Sequence, residues 1–194
     1  MKNDLFIRWP RTLALSVACI ALPFGAKAQA ESADAAPPCQ AEDPAVTTFM
    51  AGVAYDLLDP ESNFTHQSIM GAPELATLQE DEKYRQKNDW AYVCKYKNAN
   101  AGLSGEPSPK VVFLGDSITE FWTVGDADLF TDGVIGRGIS GQTSTQMVAR
   151  FWQDVVALQP TAVHIMAGTN DLAENTGYVR DEDYKNNIRA MAAM

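Results

Sequence analysis

From Lys110 onward, short unbroken apolar runs alternate with longer stretches whose apolar residues return every three or four positions. The run "KVVFLG" from Lys110 is brief and rich in β-branched residues, the pattern of a strand buried on both faces. "GVIGRG" from Gly133 and "TAVHIMAG" from Thr161 predict a second and a third strand. Between them, "TSTQMVARFWQDVVAL" sets Met147, Phe151 and Val155 on one row and Val148, Trp152 and Val156 on the next. That spacing predicts an amphipathic helix, which Pro160 stops. "DEDYKNNIRAMAAM" predicts another helix, entered through acidic residues that suit the positive end of its dipole. Strands separated by helices are joined by crossovers and run parallel, so residues 110–194 predict a three-layer α/β sheet.

The first half is patterned less sharply. "AVTTFMAGVAYDLL" and "PELATLQEDEKYRQKNDWAYVCKYKNANAGL" predict helices, the second with Leu75, Leu78, Trp90, Val93 and Tyr96 as its apolar stripe. "ESADAAPPCQAEDP" reads as a flexible stretch, and "SGEPSP" breaks the chain before the first strand. Residues 31–109 therefore read as a helical extension. Residues 1–30 are of another kind: Lys2, Arg8 and Arg11 precede "TLALSVACIALPFGA", an interrupted apolar run short for a bilayer span, and "AKAQA" supplies small residues at A-x-A spacing. This predicts a secretory signal peptide cut after Ala28 or Ala30, the alternative being an anchor that stays attached. A secreted or periplasmic protein with no stable membrane span after signal removal is the expectation. Of three cysteines, Cys19 would leave with the signal. Cys39 and Cys94 remain, either as a disulfide or as two separate thiols.

Charge narrows the partners. A formal charge of -10 and a pI near 4.6 leave no basic face for phosphates, which excludes a nucleic-acid partner. The two histidines and the cysteines are scattered rather than at ligand spacing, so neither a metal nor another cofactor is expected. The remaining partner is a small-molecule, lipid or glycan substrate.

In an open parallel sheet the functional crevice lies at the carboxyl ends of the strands. Three polar, glycine-bearing loops fall there: "GDSIT", "RGISGQTS" and "AGTND". Ser117 is a candidate nucleophile at a helix N-terminus, where unpaired backbone N–H groups favour a developing oxyanion. Gly141 lets a backbone N–H approach a substrate closely, and Asn170 offers a side-chain amide. Asp116 and Asp171 are each divided between structural hydrogen bonding and a supporting role in the site. Trp122 and Arg137 could line the cleft. Packing on the sheet and pairing with the acidic surface explain them equally well.

"GDSIT", "SGQTS" and "GTND", in this order and each after a strand, resemble the first three sequence blocks of the SGNH (GDSL) hydrolases, and the longer runs "FLGDSITEFW", "RGISGQTSTQM" and "HIMAGTNDLAENTG" resemble its lysophospholipase-like and acetylhydrolase-like branch. The resemblance implies a flavodoxin-like α/β/α fold with the first strand between the second and third. It also implies a cofactor-independent serine esterase acting on short-chain acyl, acetyl or lysophospholipid-type esters. Ser117 would be the nucleophile. The oxyanion hole would be the backbone N–H of Ser117, the backbone N–H of Gly141 and the Asn170 side chain. The family's base, a histidine in a D-x-x-H block, has no counterpart here: Asn63 stands three positions before His66 and Thr161 three before His164. His164 falls within the third predicted strand as a core or sheet-face residue, and His66 is expected at the surface. The base is therefore expected beyond Met194, with the C-terminal part of the fold missing and the chain as given inactive. The alternatives are an exported binding protein that keeps the SGNH shape and a carbohydrate O-acetyl esterase.

Overall fold

Strands β1 (Val111–Gly115), β2 (Val134–Gly138) and β3 (Ala162–Ile165) pair in parallel in the order β2-β1-β3, with the first strand in the middle as the flavodoxin-like arrangement requires. The structure is a computed structural model that describes residues 39–103 and 107–194. The predicted signal peptide lies outside the described residues. Register is in step across the sheet: Leu114 faces Arg137 on one side and Ile165 on the other.

Alternation along β1 builds the two outer layers. Val112 and Leu114, both fully buried, pack with Met147, Phe151 and Val155 and with Met191 of α8 (Asp181–Ala193). Phe113 faces the other way, 5.5 Å from Trp122 of α5 (Ser117–Gly125) and 5.4 Å from Phe130. Among the described residues β3 is an edge strand, as the order with β1 in the middle requires of three strands, and Val163 is 39% exposed.

Helix α6 (Ser144–Asp154) is shorter than its predicted span, and its buried side differs from the predicted one. The chain turns at Val155 into a single 3-10 turn, Val156–Leu158. Trp152 is 64% exposed. Of the second predicted row, Val148 and Val156 pack half-buried against the core, while buried Arg150 and Asp154 join Met147 and Phe151 at i, i+3, i+4 and i+7 spacing. Position on the helix outweighed side-chain type because Arg150 finds partners for its charge there, as the site shows below.

Four helices precede the sheet: α1 (Pro44–Leu58), α2 (His66–Met70), α3 (Glu74–Asn88) and α4 (Lys97–Gly102). Asp43 accepts from Ala45 N at 2.7 Å and Pro44 occupies the first turn, a favourable start for α1, which packs on α3 and α5. The single long helix predicted after Pro73 is broken instead. The Asp89 carboxylate accepts the N–H groups of Val93 at 2.7 Å and Cys94 at 2.9 Å, and Tyr92 adopts φ 55°. A side chain that captures the next backbone donors competes with the helix ladder, so Trp90, Val93 and Tyr96 do not extend the stripe of Leu75 and Leu78.

The same turn is tied covalently. Cys39 and Cys94 form a disulfide with Cα atoms 5.4 Å apart, across a sequence separation of 55. On the chain-entropy account, a Cys39→Ala/Cys94→Ala variant should lose about 4 kcal/mol of unfolding free energy. Urea unfolding under non-reducing conditions measures it, and a loss below about 1 kcal/mol would contradict that account. Among the described residues, no helix is long and apolar enough to cross a membrane.

Candidate active site

Glycines at the carboxyl ends of β1 and β2 let α5 press directly onto the sheet. A Cβ on Gly115 would lie 2.0 Å from Thr119 Oγ1, and one on Gly138 would lie 2.2 Å from the backbone nitrogen of Glu120. The chain therefore turns into helix at once after β1, and Ser117 occupies the first helical position. Asp116 is its N-cap: its carboxylate accepts from Ile118 N at 3.0 Å. Burial raises the Asp116 pKa, with the Ile118 N–H pulling the other way. Ser117 itself is half-buried, and its Oγ is without a hydrogen-bond partner among the described residues.

The second loop follows β2. Gly141 has φ 76°, and a Cβ there would meet nothing within 4 Å, so glycine is required by the left-handed backbone and not by crowding. Neighbouring Ser140 is held through both its N–H and its hydroxyl, each donating to Glu120 Oε2 at 2.6 Å. Lys95 pairs with the same Glu120 at 2.8 Å. Tyr96 donates its hydroxyl to the Gly138 carbonyl, and burial pushes its phenol up to about 12, which keeps the donor protonated. The helical extension thus grips the loop that carries Gly141.

The third loop closes the arrangement. Gly168, at φ 119°, caps α7 (Thr169–Leu172), which carries Asn170. Asn170 Nδ2 donates to the Gln142 carbonyl at 3.0 Å and to Asp116 Oδ2 at 3.3 Å, while its Oδ1 accepts from Asn175 Nδ2 at 2.7 Å. One amide therefore joins the residue before Ser117 to the residue after Gly141. The three loops read from the sequence meet at one place.

The sequence profile of the GDSL-like lipase/acylhydrolase family matches residues 113–194. Residues 113–194 belong to the GDSL (SGNH) hydrolase family. It is a family of ester hydrolases. Two solved structures are similar to the chain, each at 47% sequence identity over 54% of its residues: a Bacteroides fragilis protein assigned as an acylhydrolase, with a TM-score of 0.51, and a GDSL-like lipase from Bacteroides thetaiotaomicron, with a TM-score of 0.52. The chain spans about half the length of both, 52% and 53% respectively. No curated protein matches the chain.

The remaining singled-out residues make their contacts with groups other than Ser117. Asp171 is buried and accepts from Ser144 N at 2.9 Å and Ser144 Oγ at 2.5 Å, holding the first turn of α6 from the neighbouring α7. Arg137 is not a surface residue paired with acid. It is 5% exposed, donates from Nε to Asn100 Oδ1 at 2.9 Å, and lies 4.8 Å over the Tyr96 ring. Its place beneath the extension follows from that stacking and from the Asn100 acceptor. Trp122 and His164 lie on the α5 side of the sheet around Phe113, with the imidazole 4.9 Å from that ring. His164 is exposed there, because β3 is an edge strand. His66 is the first residue of α2. Among the described residues, no group of three histidine, cysteine, aspartate or glutamate side chains could hold a metal ion.

Sequence reasoning missed Arg150. Fully buried, it donates from Nε to Gln142 Oε1 at 2.6 Å, from one terminal nitrogen to Asp154 at 3.0 Å, and from the other to the carbonyls of Gly115 at 3.1 Å and Arg137 at 2.9 Å. One guanidinium spans the ends of β1 and β2 and the second loop of the GDSL domain. Burial pushes it down and Asp154 opposes that; burial likewise raises the Asp154 carboxyl. The readable signal was an arginine on the buried row of an otherwise apolar helix face, with an aspartate four positions later.

Proposed function

We propose that the protein is an exported serine hydrolase that cleaves carboxylic esters through Ser117. The observation that carries this reading is the Asn170 amide, which joins the Asp116–Ser117 turn to the Gln142 end of the Gly141 loop. In this mechanism the Ser117 hydroxyl oxygen attacks the acyl carbon as its proton passes to a general base. The tetrahedral oxyanion receives hydrogen bonds from the backbone N–H groups of Ser117 and Gly141 and from Asn170. Collapse releases the alcohol, and water then releases the acid from the acylated serine. Asn170 frees a proton for the oxyanion at small cost, since its 3.3 Å bond to Asp116 is the longer of the two it donates. The general base is not assigned: no D-x-x-H block occurs in the 194 residues. Export is supported by the Cys39–Cys94 disulfide, a bond that persists in oxidising compartments.

Steady-state kinetics of the full-length protein on 4-nitrophenyl acetate test the oxyanion role. Asn170→Ala should lower kcat by roughly 100-fold to 1000-fold, equivalent to about 3 to 4 kcal/mol, with a smaller change in KM. Near-normal turnover would reduce Asn170 to a residue that only ties loops together.

A further inference from the structure

The two backbone N–H groups that the proposed oxyanion hole takes from Ser117 and Gly141 belong to different elements, and both must point at one oxygen. Misplacing such a donor by about 1 Å costs on the order of 100-fold in rate, so the spacing between α5 and the loop after β2 has to be fixed. Gly141 does not fix it. A Cβ there would meet nothing within 4 Å, and its N–H donates to no group among the described residues. The position comes from the residue before it: Ser140 is exposed, yet its N–H and its hydroxyl both donate to Glu120 Oε2 at 2.6 Å. Glu120 stands on α5 one turn beyond Ser117, and its own N–H donates to the Asp116 carbonyl at 2.9 Å. One carboxylate therefore joins the helix that begins at Ser117 to the turn that carries Gly141.

That carboxylate is held in turn from the helical extension. Lys95 Nζ lies 2.8 Å from Glu120 Oε1, which leaves Oε2 to Ser140, and it also pairs with Glu42 at 3.4 Å. The Lys95 and Glu120 side chains are only 22% and 23% exposed, so solvent screens this pair less than one on the open surface. The backbone before Lys95 is fixed as well, because Cys94 is bonded to Cys39 and gives its N–H to Asp89. On the far side of Gly141, Gln142 donates from Nε2 to the Ala91 carbonyl at 2.8 Å. Both flanks of Gly141 are thus anchored on the turn that carries Ala91 and Lys95, which lies outside the family-matched residues 113–194.

We infer that Glu120 and Lys95 are positioning residues for the oxyanion hole: Glu120 sets the Gly141 N–H against the Ser117 N–H, and Lys95 fixes the carboxylate that does so. Neither is required to touch the reacting atoms. This rests on the Ser117 reading for the chemistry, whereas the anchoring of the loop is read separately.

The test compares steady-state kinetics on 4-nitrophenyl acetate, melting temperature, and hydrogen–deuterium exchange of residues 138–142 in the full-length protein. Glu120→Ala should lower kcat roughly 30-fold and change KM by less than about threefold. Glu120→Gln keeps an acceptor for Ser140 and should recover part of the loss, and Lys95→Met should lower kcat roughly fivefold. Exchange of residues 138–142 should quicken in Glu120→Ala, and equally in Ser117→Ala/Glu120→Ala, where no acyl chemistry takes place. A folded Glu120→Ala protein with kcat within about threefold of the parent, a loss carried by KM, or unaltered loop exchange would overturn the inference. So would a Glu120→Gln protein no better than Glu120→Ala, or a loss of kcat that follows melting temperature across the variants. Where Glu120→Ala does not fold, Lys95→Met decides, and a kcat equal to the parent's would overturn the inference. Turnover retained in Ser117→Ala would instead defeat the catalytic reading, with the loop anchor still read by exchange.

Discussion

Replacing Ser117 with alanine should abolish ester hydrolysis by the full-length protein, a loss of at least about 10⁴-fold in kcat, while leaving the fold untouched. The two halves of this expectation have separate grounds. In the proposed mechanism the Ser117 hydroxyl is the atom that forms the covalent acyl intermediate. It also makes no hydrogen bond among the described residues, so its removal orphans nothing. Alanine keeps the helical start that Asp116 caps. Initial rates on 4-nitrophenyl acetate, paired with thermal unfolding, read both. Retained turnover would remove Ser117 from the chemistry, and a large drop in melting temperature would show a structural role.

Arg150→Met should destabilise the protein by about 3 to 5 kcal/mol, the usual consequence of stripping one partner from a buried ion pair. Methionine keeps volume but supplies none of the donors that Arg150 gives to Gln142, Asp154 and the two strand-end carbonyls. Asp154 is then a buried carboxylate without its counter-charge, which raises its folded pKa further. A carboxyl whose folded pKa lies above its unfolded value, about 3.9, costs stability as pH rises past that value. The deficit relative to the parent protein should therefore be largest near neutrality and narrow as pH falls toward about 4. Adding Asp154→Leu should recover part of the loss. Urea unfolding at several pH values distinguishes this from simple cavity formation, whose cost would not move with pH.

The contrast between what the sequence revealed and what it concealed has a physical basis. Local signals were legible. "KVVFLG" followed by "GDSIT" carries both the β-branched run and the cap that stops it, and these depend on adjacent residues. Gly141 and Asn170 were legible for the same reason, as loop residues at strand ends. What escaped depends on partners far apart in the chain. Asp89 ends α3 by reaching the Val93 and Cys94 amides, where periodicity alone favoured an unbroken helix. Arg150 shows on the buried row of its helix, but the Gly115 and Arg137 carbonyls that it binds come from other elements. The hydrogen bonds from Gln142 to the Ala91 carbonyl and from Gln146 to the Trp90 carbonyl are invisible in the same way, because nothing along the chain says that the turn after α3 faces the Gly141 loop.

The central claim, that Ser117 is an activated nucleophile in the site formed by the three loops, is tested most directly by active-site labelling. The full-length protein is treated with a fluorophosphonate, digested, and the adduct located by peptide mass spectrometry. The account predicts a single stoichiometric adduct on Ser117 that is absent from Ser117→Ala. An adduct on Ser140 or Ser144 instead, or no adduct in a protein that still hydrolyses esters, would contradict it.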